Sequence, residues 1–131
     1  MISMMNVTDR RASMSMSMSR IFYKVKKHLL KQNEISLKDG VCVYRGEDGL
    51  TCAVGCLIPD GLYGAQMERH RVTDSIVNGS LGSVIGLNPH KRRIKIGLLR
   101  SLQHLHDAFP PKEWPKELDE LQVMYDIPAE S

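Results

Sequence analysis

The sequence predicts an α+β domain, mostly helical, in which a short β-hairpin packs against three or more helices. Three observations lead there. Residues 19–31 and 89–108 carry apolar side chains at the three- and four-residue spacing of a buried helical stripe. A third stretch, 115–125, repeats that spacing after two consecutive prolines, Pro110 and Pro111. Between the first two, Val41-Cys-Val-Tyr44 is alternating and β-branched, and Gly46-Glu-Asp-Gly49 follows it as a turn.

The chain has 131 residues, enough for one domain and few for two. Its 42% hydrophobic and 25% charged residues are the balance of a folded globular protein. Residues 1–18 are the expected exception. Met14-Ser-Met-Ser-Met18 is of low complexity and lacks β-branched neighbours, so it reads as a disordered tail, with the folded domain over 19–131. Ser19 is the expected N-cap of a helix that reaches Lys31 and stops near Asn33. Its stripe is Ile21, Phe22, Val25, His28 and Leu29, with Lys24, Lys26, Lys27 and Lys31 on the remaining surface.

Val41 to Tyr44 is then a strand, and Leu50-Thr-Cys-Ala-Val54 is expected to pair with it briefly before becoming a helical turn. Gly55, which has no Cβ, marks a place where another element approaches closely. Pro59-Asp-Gly61 is a turn. A helix over 72–77 would be capped by Thr73 or Asp74, and Gly79, Gly82 and Gly86 punctuate a loop or short helical turn. Asn88 caps a long helix with Pro89 at its first position, ending near Ala108. Its core stripe is Ile94, Leu98, Leu102 and Leu105, flanked by Leu99. The last helix, Pro115 to Tyr125, buries Leu118, Leu121 and, at its end, Tyr125, and Pro128 stops it.

Charge and cysteine usage narrow the classes. The net charge of +3 is uneven: residues 1–40 hold eight basic and three acidic side chains, while residues 91–131 hold seven of each with the basic ones first. Two basic segments on a nearly neutral body can steer the protein towards anions, while the commoner reading of such segments is ordinary solvated helix faces. No apolar run approaches the roughly 20 residues that span a bilayer, and no apolar signal segment opens the chain. Three cysteines do not make a disulfide framework, so a cytoplasmic location is expected.

The central string Gly49-Leu-Thr-Cys-Ala-Val-Gly-Cys-Leu-Ile-Pro-Asp60 belongs to a wider pattern. It is preceded by His28-Leu-Leu30 and by Cys42 with Tyr44-Arg-Gly46, and followed by Leu102-Gln-His-Leu-His-Asp107 and Trp114. This arrangement resembles a group of small uncharacterised bacteriophage and prophage proteins over about Ser19 to Leu121. It departs from them at Glu68-Arg-His70, where a Glu-Gly pair is expected after the methionine, and in its Met/Ser tail. The resemblance implies a phage origin and carries no activity with it.

Several residues have candidate chemistry. Cys52 and Cys56, four apart, share one face of any helix they occupy, and Cys42 with His70 or His28 would complete a metal site. Small cysteines in so apolar a run are more usually the material of a core, and core packing is the expected role. Cys52 with His104 or His106 and Asp107 has the composition of a nucleophilic triad, but the spacing fits no catalytic signature. His104 and His106, two apart, point to opposite sides of a helix and cannot share an ion. No catalytic set, metal or cofactor is therefore assigned. Tyr44, Arg45, Glu47 and Asp48 are the expected contacts of an exposed recognition hairpin. Lys91, Arg92, Arg93 and Lys95 make a basic start to the long helix, where the helix dipole disfavours cations unless an anion offsets it.

The expected function is that of a phage-encoded accessory protein that binds a host protein, with inhibition of a host enzyme or antiviral defence as its form. Nucleic-acid binding through the basic helices is the alternative, weakened by the lack of interleaved stacking aromatics. A small cysteine-centred enzyme or metal protein is the third.

Overall fold

The computed structural model describes residues 15–86 and 88–130. Its main elements are α1 (Met18–Gln32), β1 (Leu37–Lys38), β2 (Val41–Cys42), two one-turn helices α2 (Ser75–Asn78) and α3 (Gly82–Ile85), the long α4 (Pro89–Ala108) and α5 (Trp114–Met124). The mostly helical α+β architecture is as the sequence predicts.

α1 forms because Ile21, Phe22, Val25 and Leu29 make one fully buried stripe. Its cap is Ser17, whose hydroxyl accepts from the Arg20 N–H, and not Ser19. Asn33 ends it in the left-handed conformation at φ 52°. The folded chain begins earlier than expected. The Met16 N–H donates to the Val84 carbonyl at 3.0 Å, and Met16 and Met18 pack against the core. The rest of the expected tail, 1–14, lies outside the described residues.

The hairpin is displaced from its expected place. Leu37–Lys38 pairs antiparallel with Val41–Cys42, in the register Leu37 with Cys42 and Lys38 with Val41. Asp39 and Gly40, both at positive φ, make the two-residue turn that such a hairpin requires. The expected partner 50–54 meets the strand region only at one bridge, Arg45 with Thr51. Gly46 to Gly49 does turn the chain, and a 3₁₀ turn at Gly55–Leu57 follows. Gly55 is the expected close approach: any Cβ there would run into the Tyr44 carbonyl.

α4 starts where the sequence places it. Asn88 Oδ1 accepts from the Lys91 N–H, and Pro89 fills the first turn. Leu98, Leu99, Leu102 and Leu105 are buried, but Ile94 is 42% exposed and outside the stripe. α5 packs along α4, and α1 lies across both. Trp114 is fully buried and donates from Nε1 to the Phe109 carbonyl, which locks the turn between α4 and α5. The C-terminal segment returns to α1, where Tyr23 donates to the Pro128 carbonyl at 2.6 Å and Lys27 pairs with Glu130.

Candidate functional site

The residues expected to form an exposed recognition hairpin are mostly structural. Tyr44 is buried, and its hydroxyl donates to the His70 carbonyl. Arg45 is half-buried. It donates to the Ile58 carbonyl, pairs with Asp60 at 2.8 Å and lies over the Tyr63 ring, 4.4 Å from its centre. Glu68 explains why both are fixed: its carboxylate accepts from the Tyr44 and Arg45 N–H groups and from the Tyr63 hydroxyl. The first two bonds tie the 63–68 segment to the chain after β2, and the third closes that segment on itself. Only Glu47 and Asp48 stay exposed at the turn.

The basic start of α4 divides in the same way. Arg92 folds back onto the Gly86 carbonyl and the Asn78 side-chain oxygen, and these acceptors offset its unfavourable place at the helix N-terminus. Lys95 is buried with its ammonium 3.4 Å from the Ser15 hydroxyl, and burial, then Lys91, pushes its pKa down. Lys91 and Arg93 are exposed.

The cysteines sort by burial. Cys52 is fully buried and burial raises its pKa strongly, while the thiol of Cys56 is pushed up to about 12, chiefly by burial. Neither is a thiolate near neutral pH. They do not meet the histidines; Cys42 does. Cys42, His106 and Asp107 place their ligand atoms within 4.8 Å of one another.

That cluster is organised around shared protons. His106 is fully buried and stacks on Trp114, with ring centres 5.6 Å apart. Its Nε2 accepts from the Ser36 N–H at 3.0 Å, so the ring proton belongs on Nδ1, which donates to Asp107 Oδ1 at 2.7 Å. Asp107 also accepts from Gln103, whose own oxygen accepts from the Val54 N–H. The Cys42 thiol is raised by burial and by the charge and hydrogen bond of Asp107. The order is thus thiol, carboxylate, imidazole: the group beside the sulfur is an anion that raises the thiol pKa, and this is not a nucleophilic arrangement. A metal on Nδ1 would move the proton to Nε2, against the Ser36 N–H. The cluster therefore works as a clasp joining α4 to β2 and to the 52–54 turn.

His104, two residues earlier, points to the opposite, exposed side, as the helical period requires. It belongs to a different assembly. Gly97, Arg100 and His104 lie three and four apart along the open face of α4, and three depressions meet there. One of about 580 Å³ is lined by Thr73, Pro89, Arg92, Arg93, Ile96, Gly97 and Arg100, with no carboxylate. A second, of about 390 Å³, runs from Arg100 and His104 to Arg69, His70 and Arg71. The third, of about 530 Å³, lies between α4 and α5 and shares Gly97, Arg100 and His104.

Arg100 lines all three. Among the described residues the guanidinium groups of Arg69, Arg93 and Arg100 have neither ion pair nor hydrogen bond. The acids beside them are already engaged: Glu68 on backbone amides, Asp107 in the clasp, and Asp74, whose pKa is lowered by the Arg71 N–H and then by His70. The sequence reading weighs His104 only as a catalytic or metal partner and does not assign Arg69 or Arg100 as contacts. The signal was Arg93, Arg100 and His104 at helical spacing on one face, around Gly97, with no apolar side chain among them.

No known protein family, curated protein or solved structure matches the chain. No helix among the described residues is long and apolar enough to cross a membrane.

Proposed function

We propose that the protein is a non-catalytic binding domain whose ligand is a nucleic acid, held by its phosphates along the open face of α4. The observation that carries this reading is the junction at Arg100, where unpaired arginines from α4 and from the 69–71 segment border continuous depressions. Arg93 and Arg100 are seven residues apart, about 10 Å along the helix, a span that phosphates of one strand can bridge. Arginine is the side chain suited to such phosphates.

A host protein is the second reading. It is favoured by Val123 and Met124, 82% and 71% exposed at the end of α5, of which Met124 lines one of the same depressions. The resemblance to phage proteins supports a cytoplasmic place of action in an infected cell for either. Affinity purification from a bacterial host, with and without nuclease, separates them. Nucleic acid that is retained at low salt and lost at high salt supports the first reading. One protein that survives both nuclease and high salt replaces it with the second.

A further inference from the structure

We infer that the depression between α4 and α5 is a base pocket, so that the nucleic acid it serves is single-stranded. This rests on the proposed reading of the α4 face and deepens it.

The depression has the size of a small-molecule site, about 530 Å³. It also supplies the aromatic side chains that the basic segments lack in sequence. His104 and Phe109 meet edge to face, 6.2 Å between centres, and both line it. Tyr125 joins them from the end of α5, its hydroxyl held by Ser101 at 2.9 Å. Leu121 and Met124 add apolar lining. A planar ring with two apolar faces fits such walls, and stacking on aromatic side chains is how single-strand binders hold bases. Bases stacked within a duplex cannot enter.

The two ends differ in charge. Arg100 stands where this depression meets the arginine-lined one, and Glu117 and Glu120 line the α5 side. Among the described residues neither carboxylate has an ion pair or a hydrogen bond. A nucleotide oriented with its phosphate at Arg100 presents its base towards these carboxylates. They accept from an exocyclic amino group and find no such donor on thymine. The pocket therefore favours amino-bearing bases. Gly97 lies at the junction, where even a Cβ would meet only the Tyr125 hydroxyl, at 3.5 Å.

Fluorescence anisotropy with labelled 12-mers of oligo-dC, oligo-dT, an abasic strand and a duplex tests this on the full chain. Oligo-dC should bind about fivefold tighter than oligo-dT and about tenfold tighter than the abasic strand or the duplex. Glu117→Gln with Glu120→Gln should erase the dC preference, so that oligo-dC and oligo-dT bind alike; a dC preference that survives the pair would overturn the role of these carboxylates. Equal, salt-sensitive binding of all four ligands would overturn the base pocket while leaving the phosphate reading intact. No binding of any of them would remove both.

Discussion

Arg69 stands at φ +69°, a left-handed backbone that costs a residue with a Cβ about 1 kcal/mol and glycine almost nothing. It is also the position at which the phage-like pattern expects glycine. Two opposite effects should follow from Arg69→Gly: a gain of about 1 kcal/mol in urea unfolding and weaker oligonucleotide binding, because one of the unpaired cations is gone. A variant that loses stability would show that the arginine side chain makes contacts that outweigh its backbone strain. His106 offers a second test. Its Nε2 is the acceptor for a buried amide, so His106→Phe should lower stability by about 2 kcal/mol through the orphaned Ser36 N–H and the lost Asp107 bond. Oligonucleotide affinity of the folded variant should not change, since His106 faces away from the open side of α4. Neither role was legible in sequence. The helical period separates His104 from His106 in sequence, but only the packing shows which of the two is buried.

The elements were more legible than their ends. Apolar spacing fixed the stripe of α1 and, Ile94 apart, that of α4, and the Asn88-Pro89 pair marked the start of α4 to the residue. The hairpin was misplaced because Lys38-Asp-Gly40 is a stronger two-residue turn than Gly46 to Gly49, and it pairs segments too short to show alternation. The start of the fold was misplaced because Ser17 and Ser19 are equal as caps in sequence. Only the packing of Met16 and Met18 decides between them. Removing residues 1–18 should therefore cost about 1–2 kcal/mol, from the lost cap and the lost Met16 bond to Val84. Thermal unfolding unchanged by that truncation would put the fold's start at Ser19 after all. Within α4, Gly97 is a mid-helix glycine with room for a methyl group, and Gly97→Ala should stabilise by about 0.5–1 kcal/mol.

Across the whole molecule, burial of the central cysteine string sets an alkaline limit. The ordinary thiol value is 9.0, and the folded chain raises both Cys52 and Cys56 above it, Cys56 to about 12. Above pH 9 the unfolded chain releases these protons and the folded chain keeps them. Their contribution is therefore complete below pH 9 and falls as pH rises towards 12, by up to about 1.4 kcal/mol per pH unit for each thiol. Urea midpoints between pH 8 and 10.5 check this, and a midpoint that rose with pH would contradict it. The binding face is a property of the same scale. Arg69 and Arg100 are 31 positions apart in sequence, and Phe109 and Tyr125 come from different element ends. No window of the chain contains the face, which is why the basic segments could be read but the pocket could not. The competing basic surface is α1, where Lys24 and Lys27 are exposed. Two charge-swapped variants decide between them, with oligonucleotide affinity measured as a function of salt. Arg93→Glu with Arg100→Glu should weaken binding at least tenfold and reduce the log–log salt slope by about 2, while Lys24→Glu with Lys27→Glu changes neither by much. Equal losses from the two pairs, or a loss from the α1 pair alone, would contradict a ligand site on the open face of α4.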